Sequence, residues 1–521
     1  LKLAAAVVAL GILAGAKPKP PAPTKSSPPP ASAVKVERAA DGWRADLSLD
    51  RPLLGWAVPR GGDGRRELYL LTGPPQDSKD KSAAAACGLK AAAEGSGHQA
   101  QLYRWRFEAP ERLESIAVGL PEGTLDAVDV DGDGSDDLIL QRDGAIDRIR
   151  LANDGSPTIE SLVSDKALAT SHGGPRIAWD PAAARDTALR VSLLGAFRSY
   201  APGVNGAMTL ASEVAVPVRV EPGSEVFRVR SPGVLAVGRT SAGRLVFATE
   251  PEAFGKRRLR TLLLDPDGPA ETRVVESWSL LPSPERMVDR SFAMLGGSPV
   301  LVVTTTSADK LSLLGEKGLR IYPLGGDRTR AGDNPMFAAE TGINLWQEAR
   351  PAIVDLDGDG RDDLVLAYWK GLKNAIAALE IYRGTVPSGF GKSRSISFEV
   401  EGGKKGFLEF GADVDGDGRP DLILLAGTDL LVYPGTRTDQ AGDRPVESRP
   451  SRRVALPSDL GSEGSTELNL DLGGVAVSRK RGLGTPGLLD LDGDGRPEVV
   501  FAGNSETGGG RVTIVFVKGS R

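Results

Sequence analysis

Four stretches of this chain set carboxylates at alternating positions: DVDGDGSDD from Asp129, DLDGDGRDD from Asp355, DVDGDGRPD from Asp413 and DLDGDGRPE from Asp490. The first, third and fifth positions are Asp129, Asp131 and Asp133; Asp355, Asp357 and Asp359; Asp413, Asp415 and Asp417; and Asp490, Asp492 and Asp494. The ninth position is Asp137, Asp363, Asp421 or Glu498. Four carboxylates so close repel one another. At ~5 Å and an effective dielectric of ~20, each pair costs roughly 3 kcal/mol. A hard divalent cation removes that cost, and calcium, with ~6–8 oxygen ligands at ~2.3–2.6 Å, suits the spacing. Magnesium, which demands tight octahedral geometry and keeps its waters, suits it less. The sixth position is glycine in all four stretches (Gly134, Gly360, Gly418, Gly495), as a sharp turn requires. The seventh, Ser135, Arg361, Arg419 or Arg496, is expected to offer its backbone carbonyl.

These loops are not EF-hands. That motif closes on a glutamate at position 12 between two helices. Here position 12 is Leu140, Leu366, Leu424 or Phe501, inside an apolar run such as Leu364-Val365-Leu366 or Val499-Val500-Phe501. Such runs read as buried strands. Short apolar segments also precede the loops, so each loop is predicted to join two strands of a hairpin.

The repeats resemble the FG-GAP and VCBS family, found in the β-propeller of integrin alpha chains and in many exported bacterial proteins. The resemblance covers four segments of about 15 residues each. It implies blades of four antiparallel strands, with a calcium loop between the first two strands and the acidic positions named above as ligands. The fold class expected is therefore all-β, a propeller.

Spacing gives the blade count. The ninth positions are separated by 226, 58 and 77 residues, and a quarter of 226 is close to 58. Three degenerate repeats are therefore expected between residues 137 and 363, at 186–197, 234–250 and 291–306. Residues 56–71 form another, with Pro59 and Gly61 in place of the first two aspartates. This makes eight blades, with seven as the alternative. The last blade would be completed by residues 34–49, sealing the first blade to the last. Residues 74–98, with Cys87 and His98, and the Pro-rich residues 435–465 are read as surface loops.

Composition narrows the functions. A net charge of −5 argues against general nucleic-acid binding. One cysteine excludes an intrachain disulfide and a cysteine-rich zinc site, and two histidines exclude multi-histidine catalysis. Residues 384–393 echo a phosphate-binding loop, but Val386 stands where its first glycine belongs and a strand-like run follows. Aromatic residues are only 5%, which gives little to stack on sugars. Leu3–Ala16 is apolar but too short to span a membrane, and is read as a signal peptide over residues 1–16, followed by a Pro-rich linker over 17–33.

The expected protein is an exported, monomeric, calcium-binding propeller with about four Ca2+ sites, located outside the cell, at its surface or in the periplasm. Its expected role is non-catalytic binding or adhesion toward an extracellular protein or glycan. No catalytic residues are assigned. The alternative is a calcium-dependent enzyme acting on extracellular polysaccharide, which would need a funnel lined by converging Arg, Lys and Tyr.

Overall fold

A computed structural model describes most residues between 33 and 517, the longest interruption being 75–98. The expected signal, the linker up to residue 32, Cys87 and His98 lie outside the described residues. Strand dominates; among the described residues the only helical turn is a 3-10 turn at Lys166–Leu168.

Among the described residues, the strands form seven four-stranded sheets and one five-stranded sheet, all antiparallel, with three small two-stranded hairpins. The four-stranded sheets begin at Leu53, Thr124, Arg176, Gly233, Glu285, Ala349 and Lys405. In each, the strands lie in chain order, which is the meander that short connections produce. The sheet that starts at Gly487 differs. Its third strand, Gly510–Val517, pairs with Gly42–Ser48, which in turn pairs with Ala33–Ala39. Residues 34–49 were expected to give one closing strand; they give two.

The middle strands whose side chains are described have apolar residues on both faces, since sheets such as those starting at Ala349, Lys405 and Gly487 each pack between two others. In Asp363–Lys370, Leu364 and Leu366 join Val300, Val302 and Ile321 of the preceding sheet. Val365 and Ala367, pointing the other way, join Leu408, Leu422 and Leu424 of the following sheet. The alternation of side chains along a strand sends neighbouring residues into different cores. The next core unites Ile423 and Val432 with Val499 and Val515. Val500 and Ile514 then meet Leu68, Leu70 and Trp105, so the sheet starting at Gly487 packs on the one starting at Leu53. Each Leu or Val so buried contributes ~1.5–3 kcal/mol. This face-to-face succession is propeller-like.

Two sequence expectations need correction. Residues 186–197 were read as a first hairpin, but they carry the second and third strands of their sheet (Leu189–Leu193, Ala196–Pro202), the first being Arg176–Ala178. Residues 435–465 are not simply a loop: Arg452–Ala455 is the fourth strand of its sheet, and Gly435 bridges to Val446. Residues 384–393 hold a small hairpin, Gly384–Thr385 with Gly389–Phe390, followed by the strand Arg394–Glu399. A helix, which a phosphate-binding loop requires, does not follow.

Candidate metal centre

All four acidic stretches lie between the first and second strands of their sheets. The flanking pairs are Val128 with Asp137, Val354 with Asp363, Ala412 with Asp421 and Leu489 with Glu498. The ninth-position carboxylate thus opens the second strand, where the core buries it. Asp421 is fully buried, and Asp363 and Glu498 nearly so.

One hydrogen-bonding plan recurs. The first-position carboxylate accepts from the sixth-position glycine N–H, at 3.0 Å for Asp129, 2.9 Å for Asp355, 2.8 Å for Asp413 and 3.2 Å for Asp490. Its other oxygen accepts from the fourth-position glycine in three loops, at 2.8 Å (Gly358), 2.7 Å (Gly416) and 2.8 Å (Gly493). The fifth-position carboxylate accepts from the seventh N–H at 2.7–3.0 Å. The ninth accepts from the second, as in Val414 N–H to Asp421 at 2.9 Å and Leu491 N–H to Glu498 at 2.6 Å. Backbone N–H groups therefore aim the carboxylates. The sixth-position glycines have φ of 81–90°, a left-handed conformation that a side chain resists.

The result is a cluster of oxygens in every loop. One carboxylate oxygen from each of three residues lies within 4.8 Å of the others: Asp129, Asp131 and Asp137; Asp355, Asp357 and Asp359; Asp413, Asp415 and Asp421; Asp490, Asp492 and Asp494. Asp133 and Asp417 at the fifth position, and Asp363 and Glu498 at the ninth, fall outside those sets. Residues 355–424, which span the second and third loops, match the family described as FG-GAP-like repeat.

The chain carries an FG-GAP-like repeat.

No curated protein matches the chain. Among solved structures, it is similar to a putative 6-phosphogluconolactonase from Bacteroides fragilis, at 10% identity and a TM-score of 0.36, covering 70% of this chain and 93% of that one. A protein from Lactobacillus plantarum is similar at 12% identity and a TM-score of 0.35, covering 70% and 94%. A luciferin-regenerating enzyme is similar at 14% identity and a TM-score of 0.30, covering 67% and 92%. Likenesses this distant transfer no activity.

Within the four loops, burial sets the charge cost. Desolvation pushes the Asp421 carboxyl up to about 7, with repulsion from Asp415 adding to it. Glu498 is pushed up to about 8 by burial, and the charge of Asp492 raises it further. Burial also raises Asp137, against the pull of Arg148. Such groups gain from any nearby cation.

The seventh-position arginines turn their side chains to the fifth carboxylate. Arg419 pairs with Asp417, and Arg361 lies 3.5 Å from Asp359. Arg496 Nε donates to Asp494 at 2.6 Å. Arg496 also lies against Gly416, so the third and fourth loops adjoin, and its guanidinium stands 5.9 Å from the Phe516 ring centroid.

Two arginines that the motif does not contain also reach the loops. Arg148 donates to Asp131 at 2.8 Å and to Asp137 at 3.3 Å. Arg383 donates to Asp363 at 2.6 Å and to Asp357 at 3.2 Å. Both come from the third strand or its end. The signal for them was a comparison of third strands, where Tyr382-Arg383-Gly384 stands against Tyr433-Pro434-Gly435.

The donor set fits calcium. Every side chain it offers to a cation is a carboxylate, the oxygens converge in each loop, and two of the ninth-position carboxylates are buried at a high charge cost. Softer metals that favour nitrogen or sulfur find no His or Cys here.

Proposed function

We propose that the chain is an exported β-propeller of eight blades in which calcium, held by the four FG-GAP-like loops, stabilises a non-catalytic binding or adhesion module. The observation that carries this reading is the fourfold recurrence of one loop geometry, with carboxylate oxygens gathered within 4.8 Å each time. The eight larger sheets support the blade count, and the pairing of Gly42–Ser48 with Gly510–Val517 supports a ring closed by its two ends.

Bound calcium supplies a cross-link between the two strands of a hairpin and neutralises the clustered charge. The ligands would be the first, third, fifth and ninth carboxylates, with the carbonyl of Ser135, Arg361, Arg419 or Arg496. The chain's own groups do the positioning. Glycine N–H groups orient the first carboxylate, and the second-position N–H fixes the ninth. The loops thereby hold the blade connections in one shape, leaving the propeller faces for a partner. That partner is an extracellular protein or glycan, reached by export on the apolar segment at residues 1–16.

Metal analysis of the purified chain tests the calcium part, with about four ions per chain expected and a count near zero overturning it. A glycan and protein array, probed with and without calcium, tests the binding part. Calcium-dependent capture of a defined partner is expected. Turnover of a polysaccharide, seen as new reducing ends, would replace the module with an enzyme.

A further inference from the structure

The four loops share a motif but not a charge balance. In the 355–363 loop, Arg383 Nη1 lies between the third and ninth carboxylates, Asp357 and Asp363. In the 129–137 loop, buried Arg148 does the same to Asp131 and Asp137, with Arg150 3.8 Å from Asp131. Strand register locates the corresponding positions in the other two sheets. Leu364 pairs with Tyr382, Leu422 with Tyr433, Leu138 with Ile149 and Val499 with Val515. The next residues are Arg383, Pro434, Arg150 and Phe516. The 413–421 loop therefore has a proline where the 355–363 loop has its guanidinium, and the 490–498 loop has a phenylalanine. In these loops Arg419 and Arg496 bond the fifth-position carboxylates. The charge of Arg452 reaches Asp415 and that of Arg496 reaches Asp492 and Glu498, but among the described residues no guanidinium bonds both the third and the ninth carboxylate as Arg148 and Arg383 do.

We propose that the loops form two classes of calcium site: a weak pair at 129–137 and 355–363, where Arg148 and Arg383 bridge the third and ninth carboxylates as internal counter-ions, and a tight pair at 413–421 and 490–498, where no guanidinium bonds both of those carboxylates. This deepens the calcium reading above and rests on it. A guanidinium bonded to two prospective ligands both occupies their oxygens and repels an incoming divalent ion. Removing one positive charge ~5 Å from a divalent ion, even at the dielectric of water, tightens binding about tenfold. The same arginine holds its loop together when calcium is scarce. The weak pair therefore keeps its shape without metal, while the tight pair depends on it. The two arginines thus set the order in which the blades lose calcium.

The test is calorimetric titration of the full chain, stripped of metal, with calcium chloride, together with melting in chelator. Two tight ions and two at least about tenfold weaker are expected. Arg383→Gln should tighten one weak site about tenfold and lower the melting temperature in chelator, and Arg148→Gln combined with Arg150→Gln should do the same to the other. Pro434→Arg should weaken one tight site by a similar factor, and it keeps the test valid should the glutamine variants fail to fold. Four equivalent ions, or variants that bind calcium as the wild type does, would overturn the two classes and leave the calcium reading standing. Absence of any calcium binding by the wild type would overturn both.

Discussion

The sheets that begin at Glu285 and Ala349 are neighbours, pack through one core and have the same four-strand order, yet their first hairpins close differently. In the former, Leu295 pairs with Ser298 across a two-residue turn in which Gly296 has a φ of 54°. In the latter, Val354 pairs with Asp363, and the whole acidic stretch 355–362 lies between. The two connections touch, since Gly296 N–H donates to Asp362 at 2.5 Å. The short turn proves that this sheet architecture needs no acidic loop. The long loop adds chain entropy and mutual repulsion to a hairpin that could close without either.

The comparison is broken most directly by removing calcium. Each independent site should stabilise the fold by ~2.7 kcal/mol at a hundredfold excess over Kd. Hydrogen exchange in chelator should accelerate in strands flanking 413–420 and 490–497 and leave Glu285–Leu295 and Ser298–Ser307 protected. Equal acceleration in both regions would erase the distinction.

Acidity should act on the same two loops. The folded-state values of Asp421 and Glu498 lie above those of the unfolded chain, so the folded form keeps protons that the unfolded form releases. Without calcium, stability is therefore expected to fall as pH rises from about 4 to about 8 and to level off above that. With calcium bound, the carboxylates are needed ionised, so affinity should fall as pH drops below about 7. Urea unfolding across this range, with and without chelator, reads both slopes, and parallel slopes would contradict the assignment.

Asp413→Ala removes the acceptor for Gly416 and Gly418 N–H as well as a ligand. A loss of about 1–3 kcal/mol is expected in chelator, more in calcium, with one fewer ion in the metal analysis. The smallest effect is conformational. An added Cβ at Gly418 or Gly296 meets nothing within 4 Å, so Gly418→Ala and Gly296→Ala should each cost about 1 kcal/mol through the backbone alone. Only the former should change calcium affinity, as a titration of each variant would show.

Much of this was legible in the sequence because the acidic loop is local. Three aspartates, a glycine and a fourth acid within nine residues fix their own turn, and the apolar run after them can only be a buried strand. The arginines that balance the loops were not legible, because Arg148 and Arg383 reach them through the pairing of second and third strands. Residues 186–197 were assigned one strand out of register for a related reason. Where both faces of a strand are buried, any two adjacent strands of a sheet look alike, and without aspartates nothing marks the first. The strand Arg452–Ala455 was hidden by the polar, proline-bearing sequence around it, as suits an outer edge. The fourth-position glycines were overlooked although Gly358, Gly416 and Gly493 all have φ of 71–78°.

The pairing of Gly42–Ser48 with Gly510–Val517 sets a timetable for synthesis. Thr513 bonds Asp46 across 467 positions of chain. At ~5–20 residues per second on a ribosome, the early strand waits roughly 20–90 seconds for its partner. Through that interval its hydrogen-bonding edge is open to any strand that passes, including one from a neighbouring nascent chain. Slow translation or crowded polysomes should thus yield tangled dimers, and a peptide copying residues 510–517, supplied early, should suppress them.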